Sequence, residues 1–303
     1  MRLLVLSSHF QGIINNLIHR GFFEAFPGHV TWFGPGEQLD PAKERLGQVI
    51  HRLKPDLVVV NMKKRVVGWL PPHQIAEIEV PKAIVEVDYY VETSDQWYRD
   101  CRFDWVFFRS YMDARSNSLK NACWLPFSIH PDWLVFPQQK DGRKLLVTYA
   151  GNKSRPELYP VRTKALKVLW REKLIEEPVM PRYHMEYMKW WRQYLAGLTC
   201  GSMFHSTNAK HLIIPAAGAA LLTDGPPGIE LLFPDPHTYW RYRPDCSDLV
   251  GVARSILDDP ARAWVARRKM HDVLKARHTH AARWAELLAT MGLTTMLPEV
   301  PHA

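Results

Sequence analysis

Glycine, asparagine and basic residues follow an apolar run near the middle of the sequence, and their types suit contact with a phosphate group. The segment 149–156 reads YAGNKSRP. Gly151 permits a close approach of the backbone after a strand, and Asn152, Lys153 and Arg155 add polar and cationic groups. A tight turn that carries two solvated charges would explain the same residues, so the segment is a candidate phosphate cradle beside that alternative.

A second candidate lies at 208–224, which reads NAKHLIIPAAGAALLTD. A helix-like apolar run ends there at a glycine, and a short strand follows that stops at a Gly-Pro-Pro loop. Ligands of α/β sheets bind at such carboxyl-end loops. Asn208 and Lys210 begin the helix-like run, while Thr223 and Asp224 line the mouth of the loop, although Asp224 also fits a plain turn residue. We therefore predict a ligand site at this segment.

Three further side chains are candidates for contact with a substrate. Glu230 opens a helical segment, where its carboxylate could accept hydrogen bonds from a ligand or satisfy the free amides of the helix. His9 follows the first predicted strand, and an imidazole with a pKa near neutrality is suited to removing a hydroxyl proton, although such a histidine also serves structural roles. Asp88 ends the strand predicted at 84–87 and competes with His9 for the role of base.

Short apolar runs alternate with helix-like segments in both halves of the chain, which predicts an α/β fold with parallel, doubly wound sheets. A last helix is predicted between the cap residue Asp259 and Gly292. A polar stretch at 137–143 divides the chain into domains at 1–138 and 139–303. The predicted strands are 3–7, 29–33, 57–60, 84–87, 105–108, 145–150, 199–204 and 219–223. Besides the last helix, the predicted helices are 13–26, 41–53, 161–170 and 183–196.

Composition limits the class of protein. The 303 residues are 47% hydrophobic and 23% charged, so two domains of ordinary size can each bury a core. No apolar run reaches the ~20 residues that span a bilayer, and the first run is too short for a signal peptide. The four cysteines form no C-x-x-C pair, which favours a cytoplasmic location and no structural zinc. The net charge of +8 fits binding to sugar nucleotides, to nucleic acid or to the surface of an anionic membrane.

The set of motifs resembles the GT-B glycosyltransferases, and most closely their CgeB-like, spore-maturation type, in which N-x-R-x-F-E-I-P-A-A-G precedes an apolar L-L-T-D strand. That group has a comparable F-x-G-N where this chain has 149–152, and an H-T-x-x-x-R where it has 278–283. The resemblance is firmest from 208 to 283. It implies two Rossmann-like domains that face each other across a cleft, with an acceptor domain at 1–138 and a nucleotide-sugar domain at 139–303. It also implies that the last helix crosses back onto the first domain.

The resemblance further implies roles for particular residues. Lys210 stands where the group usually has an arginine, so it would place a cation beside the donor diphosphate without the two-point contact that arginine makes. Ile213 stands where a glutamate commonly contacts the donor sugar, and this departure bears on the identity of the donor or on activity itself. Glu230 matches an acidic residue that could hold the ribose hydroxyls. His9 lies in the first strand-to-helix loop, where inverting members often place a general base.

The sequence therefore predicts a glycosyltransferase that moves a sugar from a nucleotide-diphosphate donor, such as a UDP-sugar, to a hydroxyl acceptor. No Asp-x-Asp pair is present to hold a metal, so cations and backbone amides are expected to stabilise the diphosphate without a metal or other cofactor. The acceptor stays open between a small molecule, a glycan, a protein and a hydroxymethylated DNA base. A non-catalytic binding protein that keeps the GT-B fold is the main alternative. A Rossmann oxidoreductase is disfavoured, because no G-x-G-x-x-G follows a predicted strand.

Overall fold

The computed structural model describes residues 1–9, 19–87, 95–138, 142–151, 156–176, 184–201 and 205–294. The chain divides into two compact units: unit 1 contains Met1–Pro126 and the segment that starts at His280, and unit 2 contains Phe127–Thr279. The chain enters unit 2 at Phe127, ahead of the polar stretch at 137–143, and residues before that stretch and at its start already bond within unit 2. The Val135 amide donates to the Ala216 carbonyl (2.8 Å), and the Trp264 indole donates to the Pro137 carbonyl (3.2 Å).

Unit 1 is built on a parallel sheet of six strands in the order β2-β1-β3-β4-β5-β6. The central strands read as near-continuous apolar runs, because helices cover both faces of a parallel sheet. The chain passes from β1 to β2 on one side of the sheet and from β3 to β4 on the other, so the strand order reverses between β1 and β3. Ligands of open α/β sheets bind at the carboxyl ends of the strands at such a reversal. The strands are β1 (Arg2–Leu6), β2 (His29–Phe33), β3 (Leu57–Asn61), β4 (Lys82–Glu86), β5 (Trp105–Phe108) and β6 (Ala122–Trp124).

The helices of unit 1 are short and amphipathic. One apolar core lies on each face of the sheet. Local sequence sets the ends of two of these helices: Lys54 adopts a left-handed conformation (φ 46°) after α2, and the Ser110 hydroxyl accepts a hydrogen bond from the Asp113 amide at the start of α5. The helices are α1 (Gly21–Glu24), α2 (Leu46–Leu53), α3 (Pro72–Ala76), α4 (Gln96–Cys101) and α5 (Tyr111–Ser116).

Unit 2 has a parallel sheet of four strands in the order β10-β9-β8-β7. Its strands are β7 (Lys144–Thr148), β8 (Tyr194–Thr199), β9 (Ala220–Thr223) and β10 (Trp240–Arg241). Its helices are α6 (Pro160–Arg171), α7 (His184–Arg192), α8 (Lys210–Ala216), α9 (Ile229–Leu232), α10 (Leu249–Leu257) and α11 (Pro260–Arg277). The predicted α/β fold class with parallel sheets is therefore confirmed in both units.

The prediction of a helix at 183–196 followed by a strand at 199–204 is wrong. The helix ends at Arg192 and β8 begins at Tyr194, because β8 pairs on both sides, with β7 and with β9. All of β8 is buried, and a Cβ at Gly197 would come within 2.7 Å of Ile214 and 2.9 Å of Trp191. This glycine marks close packing inside a central strand rather than a strand end.

The prediction of one C-terminal helix is also wrong, because the helix breaks after Arg277. The Ile129 amide donates to the His278 carbonyl (2.9 Å), and the His278 ring contacts the Leu232 carbonyl at 2.9 Å, so tertiary contacts hold this position outside a helix. The chain then forms α12 (His280–Thr290), which belongs to unit 1. There Trp284 stacks on Phe22 with their ring centres 4.6 Å apart.

Candidate functional site

Gly151 and Lys210 lie side by side at the carboxyl edge of the unit-2 sheet. Gly151 follows β7, and Lys210 is the first residue of α8. A Cβ added to Gly151 would lie 2.4 Å from the Tyr149 hydroxyl and 3.1 Å from Cε of Lys210. A larger residue would therefore displace one of these side chains. Glycine lets the backbone after β7 pass directly beside the lysine.

The Lys210 ammonium has no carboxylate partner among the residues that the structure describes. Its Nζ lies 5.8 Å from the centre of the Tyr149 ring. Burial is the main cause that lowers its pKa to about 8, and the Arg162 guanidinium lowers the pKa further. A cation that is partly removed from water without a counter-charge is costly, and a bound anion would offset that cost. Lys210 is therefore a candidate anion-binding residue.

A chain of hydrogen bonds joins Asn208 to Asp224 through His211 and Thr223. The Asn208 amide donates to His211 Nδ1 (3.1 Å), and His211 Nε2 lies 3.1 Å from Thr223 Oγ1. Burial lowers the His211 pKa to about 3, so the ring is neutral and its proton is assigned to Nε2, which donates to Thr223. Thr223 Oγ1 in turn donates to Asp224 Oδ1 (3.4 Å). This chain fixes the start of α8 against the end of β9.

Asp224 is buried at the wall of a small cavity. Burial raises the pKa of its carboxyl, while its Oδ1 accepts a hydrogen bond from the Gly201 amide (2.8 Å) and its Oδ2 lies 3.7 Å from His205 Nδ1. The cavity measures about 190 Å³, which is smaller than pockets that enclose a whole organic ligand. It therefore has room for one ring of a larger ligand. Its lining residues are Leu158, Tyr159, Pro160, Val161, Arg162, Gly201, His205 and Asp224.

The structure brings five of the sequence-predicted residues to this edge and leaves others elsewhere. Glu230 is exposed, and its carboxylate lies 3.4 Å from Arg241 Nη1 in a surface ion pair. Ile213 is buried within α8. Asn152, Lys153 and Arg155, all predicted for the cradle, lie outside the described residues. The five residues at the edge are Gly151, Asn208, Lys210, Thr223 and Asp224.

Sequence reasoning did not single out Tyr149, Arg162, His205 or His211 for this site. His211 is one residue after Lys210, but within an apolar run a histidine gives no sign that it bonds to Thr223. Arg162 lies in the first turn of α6, where its guanidinium stacks at 3.8 Å on the Tyr159 ring. Tyr149 directly follows a strand, and ligands of α/β sheets bind at strand ends, so the sequence could have predicted Tyr149 as a site residue. The other three required the tertiary structure.

In unit 1, His9 is placed beside a buried carboxylate. His9 lies after β1, and its Nδ1 is 3.7 Å from Glu37 Oε1. Glu37 is held in turn by Arg20, whose Nη1 donates to both carboxylate oxygens (3.0 and 3.3 Å) while its guanidinium stacks at 4.4 Å on the Trp32 ring. Glu37 is thus positioned to orient the His9 ring. Asp88, the competing base candidate, lies outside the described residues.

Unit 1 also has a larger cavity of about 880 Å³, but its walls come mainly from α2, α3 and their neighbouring loops, and Phe33 at the end of β2 is the strand residue that lines it. Within the described part of the chain, no three His, Cys, Asp or Glu side chains are grouped to hold a metal ion. None of the described helices combines the length and the apolarity needed to cross a bilayer.

Comparisons with known proteins agree with this architecture. A family model described as "Glycosyl transferase-like" matches residues 150–289, the part of the chain that holds the unit-2 site. The sucrose-phosphate synthase of Thermosynechococcus elongatus superposes with a TM-score of 0.66 at 12% identity, over 98% of this chain and 100% of that one. HepE of Anabaena in complex with UDP gives a TM-score of 0.66 at 11% identity, over 96% of this chain and 100% of that one.

A third solved structure is an α-glucosyltransferase in complex with UDP and a DNA 13-mer, with a TM-score of 0.64 at 10% identity over 96% of this chain and 99% of that one. No curated protein sequence matches the chain. The structural matches extend over nearly the whole chain, and the neighbours are GT-B glycosyltransferases. The chain therefore has the GT-B fold.

Proposed function

We propose that the protein is a glycosyltransferase that binds a UDP-sugar at the carboxyl edge of the unit-2 sheet and transfers the sugar to a hydroxyl acceptor. The observation that carries this proposal is the Lys210 ammonium, half-buried beside Gly151 and without a described carboxylate partner. The family model over this region and the UDP and UDP-glucose complexes of HepE support it. The anionic group of a UDP-sugar is its diphosphate, so the diphosphate is the part of the donor that we place beside Lys210.

Within this proposal, Lys210 stabilises the charge that develops on the departing diphosphate, without a metal ion. Gly151 admits the phosphates to the lysine, and Asn152, Lys153 and Arg155 add further donors. The bonded chain from Asn208 to Asp224 keeps α8 and β9 rigid around the site. Glu230 remains the candidate for the ribose hydroxyls.

His9 is the proposed base that takes the acceptor's proton if the reaction inverts configuration, with Glu37 orienting the ring and Asp88 as the competing base. The four cysteines are all unpaired, which supports a reducing, cytoplasmic location. Membership of the CgeB-like group remains a prediction. A non-catalytic binding protein with the GT-B fold is the second candidate. It is favoured by the buried Ile213, an apolar side chain at the position where that group has a glutamate.

Two measurements test the proposal. Thermal shift with UDP, GDP, TDP, CMP and their sugars should raise the melting temperature most with UDP compounds. Release of free UDP from UDP-sugars, with and without EDTA, should then be observed and should not depend on the chelator. Stabilisation by UDP without any release, even with sugar, protein and hydroxymethylated DNA acceptors supplied, would identify a binding protein. No stabilisation by any nucleotide would contradict the donor site itself.

The affinity for UDP is expected to fall as the pH rises from about 7 to about 9.5. The last pKa of a terminal phosphate lies at about 6, so UDP gains little charge over this range and the protein side decides the result. Lys210 has a lowered pKa of about 8, so its protonated fraction is lost through this window, and the anion binds the protonated form. Titration calorimetry at a series of pH values measures the effect. Lys210→Arg is the control, because the guanidinium keeps its charge and the affinity should then stay level.

A further inference from the structure

Trp170 is the most exposed of the large apolar side chains in the described part of the chain. It lies near the end of α6, on the surface of unit 2, with 66% of its area accessible. Its neighbour Leu169 is fully buried in the unit-2 core, so α6 is docked on the sheet and Trp170 points away from it. Because most of this indole is left in water, Trp170 contributes little to the packing of unit 2.

Basic residues lie beside Trp170, on α6 and just after it. Lys164, Lys167 and Arg171 follow one another at intervals of three and four, so they form one row along α6. Trp170 follows Lys167 by three residues and borders this row. Lys173, just beyond the helix, is also exposed. None of the four basic side chains forms an ion pair in the described structure, although Lys164 has Asp245 within electrostatic reach. The local charge therefore rests mainly on Lys167, Arg171 and Lys173.

Among the described residues, the two carboxylates nearest in sequence already have basic partners. Glu172 pairs with Arg254 (3.2 Å), and Glu176 pairs with Lys144 (2.7 Å). Trp170 thus lies beside basic residues that form no ion pair in the part of the chain that the structure describes.

We propose that this surface, formed by Trp170, Lys167, Arg171 and Lys173, binds an anionic lipid bilayer. Indole rings favour the interface between water and lipid, and lysine and arginine beside them are attracted to anionic headgroups. The exposed indole favours lipid over duplex nucleic acid, because contacts to the phosphate backbone require the cations alone. The proposal does not depend on glycosyltransferase activity, since the surface shares no residue with the candidate donor site.

Vesicle flotation with the full-length protein tests the proposal. We expect the protein to bind vesicles that contain both phosphatidylglycerol and phosphatidylcholine. Binding should be much weaker with phosphatidylcholine alone, and it should fall with added salt. Lys167→Gln with Arg171→Gln should weaken binding about twenty-five-fold, at about fivefold for each charge. Trp170→Ala should weaken binding about tenfold.

Matched controls separate this surface from general effects. Lys275→Gln with Arg277→Gln, on the exposed face of α11, changes the net charge equally and should leave vesicle binding within about twofold of wild type. Leu231→Ala removes another exposed apolar side chain and should likewise have no effect. All variants should keep the wild-type melting temperature, because every side chain changed is exposed.

Several outcomes would overturn the proposal. One is an absence of binding to anionic vesicles, and another is an equal loss of binding in the α11 control. A third is binding to duplex or single-stranded DNA, but not to vesicles, by the wild type. If Lys167→Gln with Arg171→Gln then abolished DNA binding, the surface would be a nucleic-acid site. Quenching of tryptophan fluorescence by brominated lipid should be reduced in Trp170→Phe, and unchanged quenching would place the contact elsewhere.

Discussion

Lys210→Ala is expected to raise the dissociation constant for UDP about 100-fold. A charge-assisted contact between an ammonium and a diphosphate contributes about 1.5–3 kcal/mol, and this ammonium is half-buried, where screening by water is weak. The substitution should not destabilise the fold, because it removes a cation whose burial is costly. Titration calorimetry with UDP measures the affinity, and thermal denaturation without ligand measures the stability.

Two comparisons make this result specific. Lys210→Arg retains a cation and should recover most of the affinity, whereas Lys189→Ala, at an exposed position on α7, should bind UDP as the wild type does. Equal affinity of wild type and Lys210→Ala would refute the placement of the diphosphate at Gly151 and Lys210. A loss of affinity in Lys189→Ala of the same size would show that net charge, rather than the site, governs binding.

Trp284→Ala is expected to lower the free energy of unfolding of unit 1 by about 3–5 kcal/mol, which is the range for removal of a buried aromatic side chain. Trp284 stacks on Phe22 and meets Phe26 edge-on at 4.7 Å, and its indole donates to the Phe22 carbonyl at 2.6 Å. The substitution would leave a cavity in one core of unit 1 and an unsatisfied carbonyl. It would also weaken the attachment of α12, the helix that follows unit 2 in the chain and belongs to unit 1.

Hydrogen exchange of the β1 and β3 amides reports this effect, because these central strands open only when unit 1 unfolds. Trp170→Ala, at an exposed tryptophan of unit 2, is the matched control and should leave exchange in unit 1 unchanged. Donor-site binding in unit 2 should survive in Trp284→Ala at low temperature. Unchanged exchange rates in Trp284→Ala would mean that α12 contributes little to the stability of unit 1.

Local signals predicted the strands of unit 1 well. The prediction at 29–33 and that at 105–108 coincide with β2 and β5, since a β-branched or aromatic run bounded by Gly, Pro or Asp has few alternatives. The same signals failed at 183–204. A run rich in tryptophan and tyrosine fits a buried helix or a buried strand equally well, and the pairing of β8 with β7 and β9 decides between them.

The sequence by itself determined the parallel α/β class, the apolar strands and the location of Gly151, Lys210 and Asp224 after strands or at the start of a helix. These follow from side-chain period and from turn chemistry, which act over a few residues. Only the tertiary structure decided that His211 bonds to Thr223, that Glu37 lies beside His9 and that α12 returns to unit 1. Those contacts join segments far apart in the chain or depend on which face a buried residue presents, and no short-range pattern carries that information.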